Sequence, residues 1–267
     1  MKREALFRTR GARREPWQLA AAAVAVGVAS AGVAVALRSG VHGLFGALEP
    51  LRQEWWGMLL LPAAGAMLGV FIIRVLFREP GGHGVPAVLE AVTRKAGHMR
   101  RRSIVSRLLG SLVNVALGGS AGLEGPIVYS AAAVGSTLAS SMRVAERQRV
   151  LLLACGVAGG IGAIFNAPLT GMIFAMEVVL AEWTLGALLP IAVSATVATE
   201  IGRYAMSSEG AFRVDAVMEW GGIDLAASAV LGACAGLLSV ALVVMIFAAE
   251  RFTRRLKVGF LTSKLGV

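Results

Sequence analysis

Glu124 is the residue whose surroundings most clearly suggest chemistry. It sits in Gly118-Gly119-Ser120-Ala121-Gly122-Leu123-Glu124-Gly125-Pro126, between two long apolar runs. Proline is pre-set for the first turn of a helix, where its missing N–H costs nothing. The spacing therefore predicts Glu124 just ahead of a helix start, amid free backbone N–H groups and the positive end of the dipole. Such a place binds anions. Two readings stay open on the motif alone. Glu124 occupies the anion's place and yields it to a permeating anion, or Glu124 caps its helix. Gly118 to Gly122 also fits G-x-S-x-G, with Ser120 as a nucleophile. A serine nucleophile needs a base, normally a histidine later in the chain. The histidines are His42, His83 and His98, all before Ser120, so hydrolysis is set aside and no enzymatic activity is expected.

A second glycine loop, Glu79-Pro80-Gly81-Gly82-His83-Gly84-Val85-Pro86, also ends on a proline at a helix start. Two half-helix N-termini aimed at one point make an anion site without a buried cation, whose desolvation is costly. A third interruption is Phe165-Asn166-Ala167-Pro168-Leu169, after which Gly171 to Ala181 reads as a helix carrying Glu177. Paired Gly/Pro breaks in apolar segments point to a transport site. Cys155 and Cys234 lie inside apolar runs and read as packing residues. No Cys/His spacing suits a metal, and no cofactor is expected.

The elements that must hold these loops are membrane helices. The 267 residues are 57% hydrophobic and only 16% charged, far from the composition of a soluble domain. Apolar stretches long enough to span a bilayer recur. The formal charge is +10, which in a soluble protein would suggest nucleic acid. Here the bases cluster at segment ends, Arg8 to Arg14, Arg94 to Arg107, Arg143 to Arg149 and Arg251 to Lys257, where they set topology and meet lipid headgroups. Nucleic acid is therefore not expected as a partner. Residues 1–15 form a basic cytoplasmic leader, not a cleaved signal peptide. Spans are expected from Trp17 to Leu48, Trp56 to Phe77 and Leu225 to Ala249; Ile104 to Leu117, Val150 to Ile164 and Leu185 to Ile201 are further apolar segments, and Ile127 to Met142 reads as a small-residue helix. Glu49 to Glu54 is expected to be a polar turn and Ala87 to Ala96 a helix too short to span. Gly65/Gly69 and Gly156/Gly160 form GxxxG pairs suited to close helix approach.

These motifs, in this order, resemble the CLC chloride channels and proton-coupled anion transporters. Gly82-His83-Gly84-Val85-Pro86 is similar to the family's G-S-G-I-P. Gly122-Leu123-Glu124-Gly125-Pro126 is similar to G-R/K-E-G-P. Phe165 to Glu177 is similar to F-N-A-P-L-x-G-x-x-F-x-x-E. The resemblance runs from about Pro16 onward. It implies an all-α polytopic fold of two inverted halves and a homodimer with one anion pathway in each subunit. Residues 16–205 would be the first half, and 206–267 the connection and first helix of the second. It implies that Glu124 is the gating glutamate, whose carboxylate swings into and out of the outer anion site. Anion-binding positions would be Gly82, His83, Gly84, Val85, Gly122, Gly125, Pro126 and Ile127, with backbone N–H groups near Gly84, Val85, Gly125 and Ile127 facing the anion.

Several positions depart from the family pattern. His83 replaces the anion-contacting serine, which puts halide selectivity in question; it either lines the site or only caps its loop. Leu123 replaces the cation before the gating glutamate. Val178 stands where proton-coupled members often carry an inner glutamate, so Glu177 is left as a possible inner proton relay or a structural residue. The later G-x-F-x-P motif and the family's anion-contacting tyrosine have no counterpart, since Tyr129 and Tyr204 lie elsewhere. The leading expectation is a voltage-gated chloride channel gated by Glu124, in a bacterial plasma (inner) membrane, with chloride or another small anion as the transported ligand. Proton/chloride antiport is the alternative within the family. A truncated, non-conducting membrane fragment or scaffold is the alternative from another class.

Overall fold

A computed structural model describes residues 15–79, 84–206 and 222–255, and every regular element among them is helical. They form α1 (Pro16–Ala47), α2 (Glu49–Arg52), α3 (Trp55–Phe71), α4 (Gly84–Arg94), α5 (Ser103–Ala116), α6 (Glu124–Ser141), α7 (Glu146–Phe165), α8 (Pro168–Phe174), α9 (Leu185–Ala205) and α10 (Gly222–Arg255). Helices α3 and α8 each run on into a π-helical turn, Ile72–Leu76 and Ala175–Leu180. The chain divides into two units, one holding α1 to α9 and the other α10. Among the described residues, five helices are long and apolar enough to cross a membrane: Trp17–Ala47, Trp55–Leu76, Glu146–Phe165, Leu185–Ala205 and Ile223–Ala249. At about 1.5 Å per residue α5 reaches only about 21 Å, short of the roughly 30 Å apolar core. The apolar segment from Ile104 to Leu117 is thus a helix too short to span, followed by a loop.

In the first unit α7 is the central post, packed against α1, α6, α8 and α9. It is buried from Leu152 to Ile164. Lipid is as apolar as leucine, so helix association here relies on close van der Waals fit rather than on escape from water. The α6–α7 seam meets that need with small residues. A Cβ on Gly135 would stand 2.8 Å from the Leu152 carbonyl carbon, and one on Gly156 would stand 2.9 Å from that of Ala131. The Ser194 hydroxyl donates to the Cys155 carbonyl at 2.8 Å and ties α9 to α7. The Gly65/Gly69 pair faces α5, where Cβ atoms would press on Leu117 and on the Gly110 carbonyl, each at 2.8 Å. Leu59, Leu60 and Met67 on the same helix are exposed and suit lipid.

The breaks have local causes. Helix α5 ends in a Schellman arrangement: Gly118 takes a positive φ of 94°, its N–H bonds the Val115 carbonyl, and the Gly119 N–H bonds that of Asn114. Helix α7 ends on Asn166 in the left-handed region, and Pro168 then opens α8. Glu49–Arg52 is a single helical turn, α2, where a polar turn is expected from sequence. Pro50 near its start and Glu49 in its first turn both favour helix there.

His98 lies in the bend between α4 and α5. Burial pushes its pKa below the ordinary 6.5, the Arg149 charge lowers it further, and Glu146 opposes both. The folded chain therefore holds this proton less tightly than the unfolded chain, and stability falls as the pH drops through the unfolded value near 6.5. An NMR titration of the ring should give a midpoint below 6.5. His98→Asn should remove that part of the acid sensitivity; a midpoint at or above the ordinary value would contradict the assignment.

Candidate functional site

The two glycine-loop helices start at one place. Helix α4 begins at Gly84 and α6 at Glu124. A Cβ on Gly84 would lie 2.5 Å from the Gly125 Cα, so the first turns of the two helices touch backbone to backbone. Only glycine permits this approach, and it sets two positive dipole ends side by side. The sequence motifs place Gly84 and Val85 in a loop before a proline-led helix. In the structure both are already helical, with Pro86 as the third residue of α4. Gly82 and His83 lie outside the described residues.

Glu124 is the first residue of α6, one place later than the sequence predicts relative to the helix, and Leu123 holds the N-cap position. No side-chain hydrogen bond caps α6, so the capping role proposed for Glu124 is not realised in this arrangement. Its side chain is exposed, as is Gly122 before it. Pro126 is half-buried and brings no N–H; Ile127 is fully buried. The Ile127 N–H donates to the Leu123 carbonyl at 3.0 Å, the first bond of the helix. This corrects the expectation that the Ile127 amide faces an anion: an amide bound within the helix is not free to bind one. Among the described residues, the amides of Glu124 and Gly125 find no backbone acceptor, and they are the donors α6 offers at this point. Glu177 falls in the π-helical turn Ala175–Leu180 with its side chain exposed.

One polar cluster escapes the sequence reading. Glu79 is 5% exposed, at the end of the segment that leads toward α4. Its carboxylate accepts hydrogen bonds from Ser103 at 2.6 Å and Ser106 at 2.7 Å. The Arg107 Nε stands 3.7 Å from the second oxygen. The Arg107 guanidinium also lies 5.2 Å from the centre of the Tyr129 ring, and the Tyr129 and Ser103 hydroxyls are 3.5 Å apart. A buried carboxylate must be paired and hydrogen-bonded, and here it is both. Through Tyr129 the cluster joins α5 to α6. A signal was present in the sequence: Ser103, Ser106 and Arg107 stand at i, i+3 and i+4, one polar stripe on an apolar helix. Each of these residues, like Glu79 at the edge of a basic corner, passes by itself for an interfacial group.

The fold and site define a class: an all-helical, polytopic membrane protein whose broken helices bring two N-termini together. The family described as "Voltage gated chloride channel" matches residues 64–265, and the chain belongs to that family. It is 37% identical over 153 residues to a ClcB-like protein of Ralstonia nicotianae, covering 56% of this chain and 36% of that one. It is 31% identical over 164 residues to the H(+)/Cl(-) exchange transporter ClcA of Klebsiella pneumoniae (strain 342), covering 58% and 35%. The matches thus span little more than a third of the length of these relatives. The crystal structure of a slow cyanobacterial Cl-/H+ antiporter superposes with a TM-score of 0.76 at 19% identity, over 95% of this chain and 61% of that one. A CLC-type fluoride/proton antiporter does so at 0.70 and 20%, over 90% and 60%. At such identities these two establish the fold.

Proposed function

We propose that the chain contributes an anion pathway of CLC type, with Glu124 as its gate and chloride or another small anion as the transported ligand. The observation that carries this reading is the contact of Gly84 with Gly125, which sets two helix N-termini beside a carboxylate that has no ion-pair partner among the described residues. A free carboxylate and a permeating anion compete for the same backbone donors, so the site works as a gate: the anion enters when Glu124 leaves or is protonated. The reading also assigns anion contacts to Gly82 and His83, which lie outside the described residues. Homodimer assembly in a bacterial plasma membrane belongs to it as well.

Passive conduction gated by Glu124 is the first reading, supported by Val178 in place of an inner carboxylate. Proton-coupled exchange is the second, favoured by the exchanger named among the relatives, with Glu177 as the inner relay. The test is chloride efflux from liposomes with external pH recorded at the same time. Glu124→Gln should leave anion flux in place and abolish its pH dependence. Persisting pH dependence would remove Glu124 from the gate. Proton movement tied to chloride in the unmodified chain, lost in Glu177→Gln, would select exchange; chloride efflux without it would select conduction. Absence of all anion flux would point to the non-conducting scaffold.

A further inference from the structure

A cavity of about 370 Å³ lies at the end of the bundle where α2 and the start of α3 meet the end of α5. Its walls are mostly apolar, including Met58, Leu61, Pro62 and Leu117. Arg52 and Gly118 complete it on one side, and a Cβ on Gly118 would stand 3.9 Å from the Arg52 Nη2. The guanidinium is stacked on the Phe45 ring, 3.5 Å from its centre. Its Nη1 is buried and has no hydrogen-bond partner. Glu49 also lines the cavity, but its side chain is exposed and water screens its charge. Among the described residues Arg52 forms no ion pair.

Arg52 is half-buried, its guanidinium held against an aromatic ring at the cavity wall, and its Nη1 is an unspent donor. A bound anion would use that donor. The fixed fork of the guanidinium suits an oxyanion and also accepts a halide. The loop from Gly118 to Leu123, which starts at this cavity and leads to the proposed gate, has no cation of its own.

We infer that the Arg52 cavity is a second anion-binding site, distinct from the paired helix starts, which takes a singly charged anion: a free halide, or the phosphate of a lipid headgroup. The inference does not depend on transport, because it concerns binding alone. Purified chain in dodecyl maltoside is titrated with sodium chloride, and the excess width of the chlorine NMR line is compared with that of Arg52→Gln. Native mass spectrometry then counts phosphatidylglycerol retained by each. A broader line for the unmodified chain, reduced in Arg52→Gln, supports the site with a free halide as occupant. Equal lines, with phosphatidylglycerol retained by the unmodified chain and lost in Arg52→Gln, support it with a headgroup as occupant. Leu61→Trp, which fills the cavity and leaves Arg52 in place, should give the same loss and guards against a folding defect in the charge variant. Equal lines and equal lipid retention across all three proteins would overturn the site.

Discussion

Gly84→Ala should pull apart the two helix starts and reduce anion flux by on the order of 100-fold, the scale that a displacement of about 1 Å inflicts on a positioned site. The new methyl would sit 2.5 Å from the Gly125 Cα, and a backbone cannot turn aside as a flexible side chain can. One helix must move as a body, and the shared field of the two N-termini weakens with it. Gly32→Ala is the matched control, since a Cβ there has no heavy atom within 4 Å. Chloride uptake into liposomes reads the flux and thermal unfolding in detergent reads the packing. Wild-type flux and wild-type unfolding in Gly84→Ala would show that the contact does not set the site. A lowered unfolding temperature with unaltered flux would keep the contact and discard its role.

Glu79→Ala is expected to be the most destabilising single substitution in the α5–α6 region, by about 3–5 kcal/mol. The loss takes the Glu79 carboxylate away from Arg107, whose side chain is 15% exposed. It also takes the acceptor from two buried serine hydroxyls, each a further cost of about 1–3 kcal/mol where no new partner is found. These costs overlap and do not add. Glu79→Gln should be milder, because its amide still bonds the serines. Denaturation of Glu79→Ala, Arg107→Ala and the double variant closes a cycle. A coupling energy well above zero is expected, with the double variant less damaged than the sum of its parts. A loss within about 0.5 kcal/mol, the range of an ordinary surface substitution, would refute a structural role for the cluster.

The order of broken and unbroken helices was legible in the chain because glycine and proline act locally. Pro168 opening α8, Asn166 closing α7 and Gly118 closing α5 each follow from backbone conformations that few residues adopt. That Gly65 and Gly69 suit a close helix approach was legible because a helix surface without side chains invites a neighbour; that the neighbour is α5 came only from the structure. Boundaries at the first turns were less so. Whether Gly84 and Val85 belong to a loop or to α4, and whether the Ile127 amide is free, depends on hydrogen bonds to the residues before them.

By itself, then, the sequence determined an all-α membrane chain, the places where its helices break, and Glu124 as a carboxylate at a helix start. These rest on composition and on interactions within a turn or two of the backbone. Tertiary structure alone decided that Gly84 meets Gly125, that Glu79 is enclosed by Ser103, Ser106 and Arg107, and that Arg52 stands beside Gly118 on a cavity wall. The partners in those three contacts are between 24 and 66 positions apart in the chain. Their meeting is set by how α3, α4, α5 and α6 pack, which no local propensity encodes.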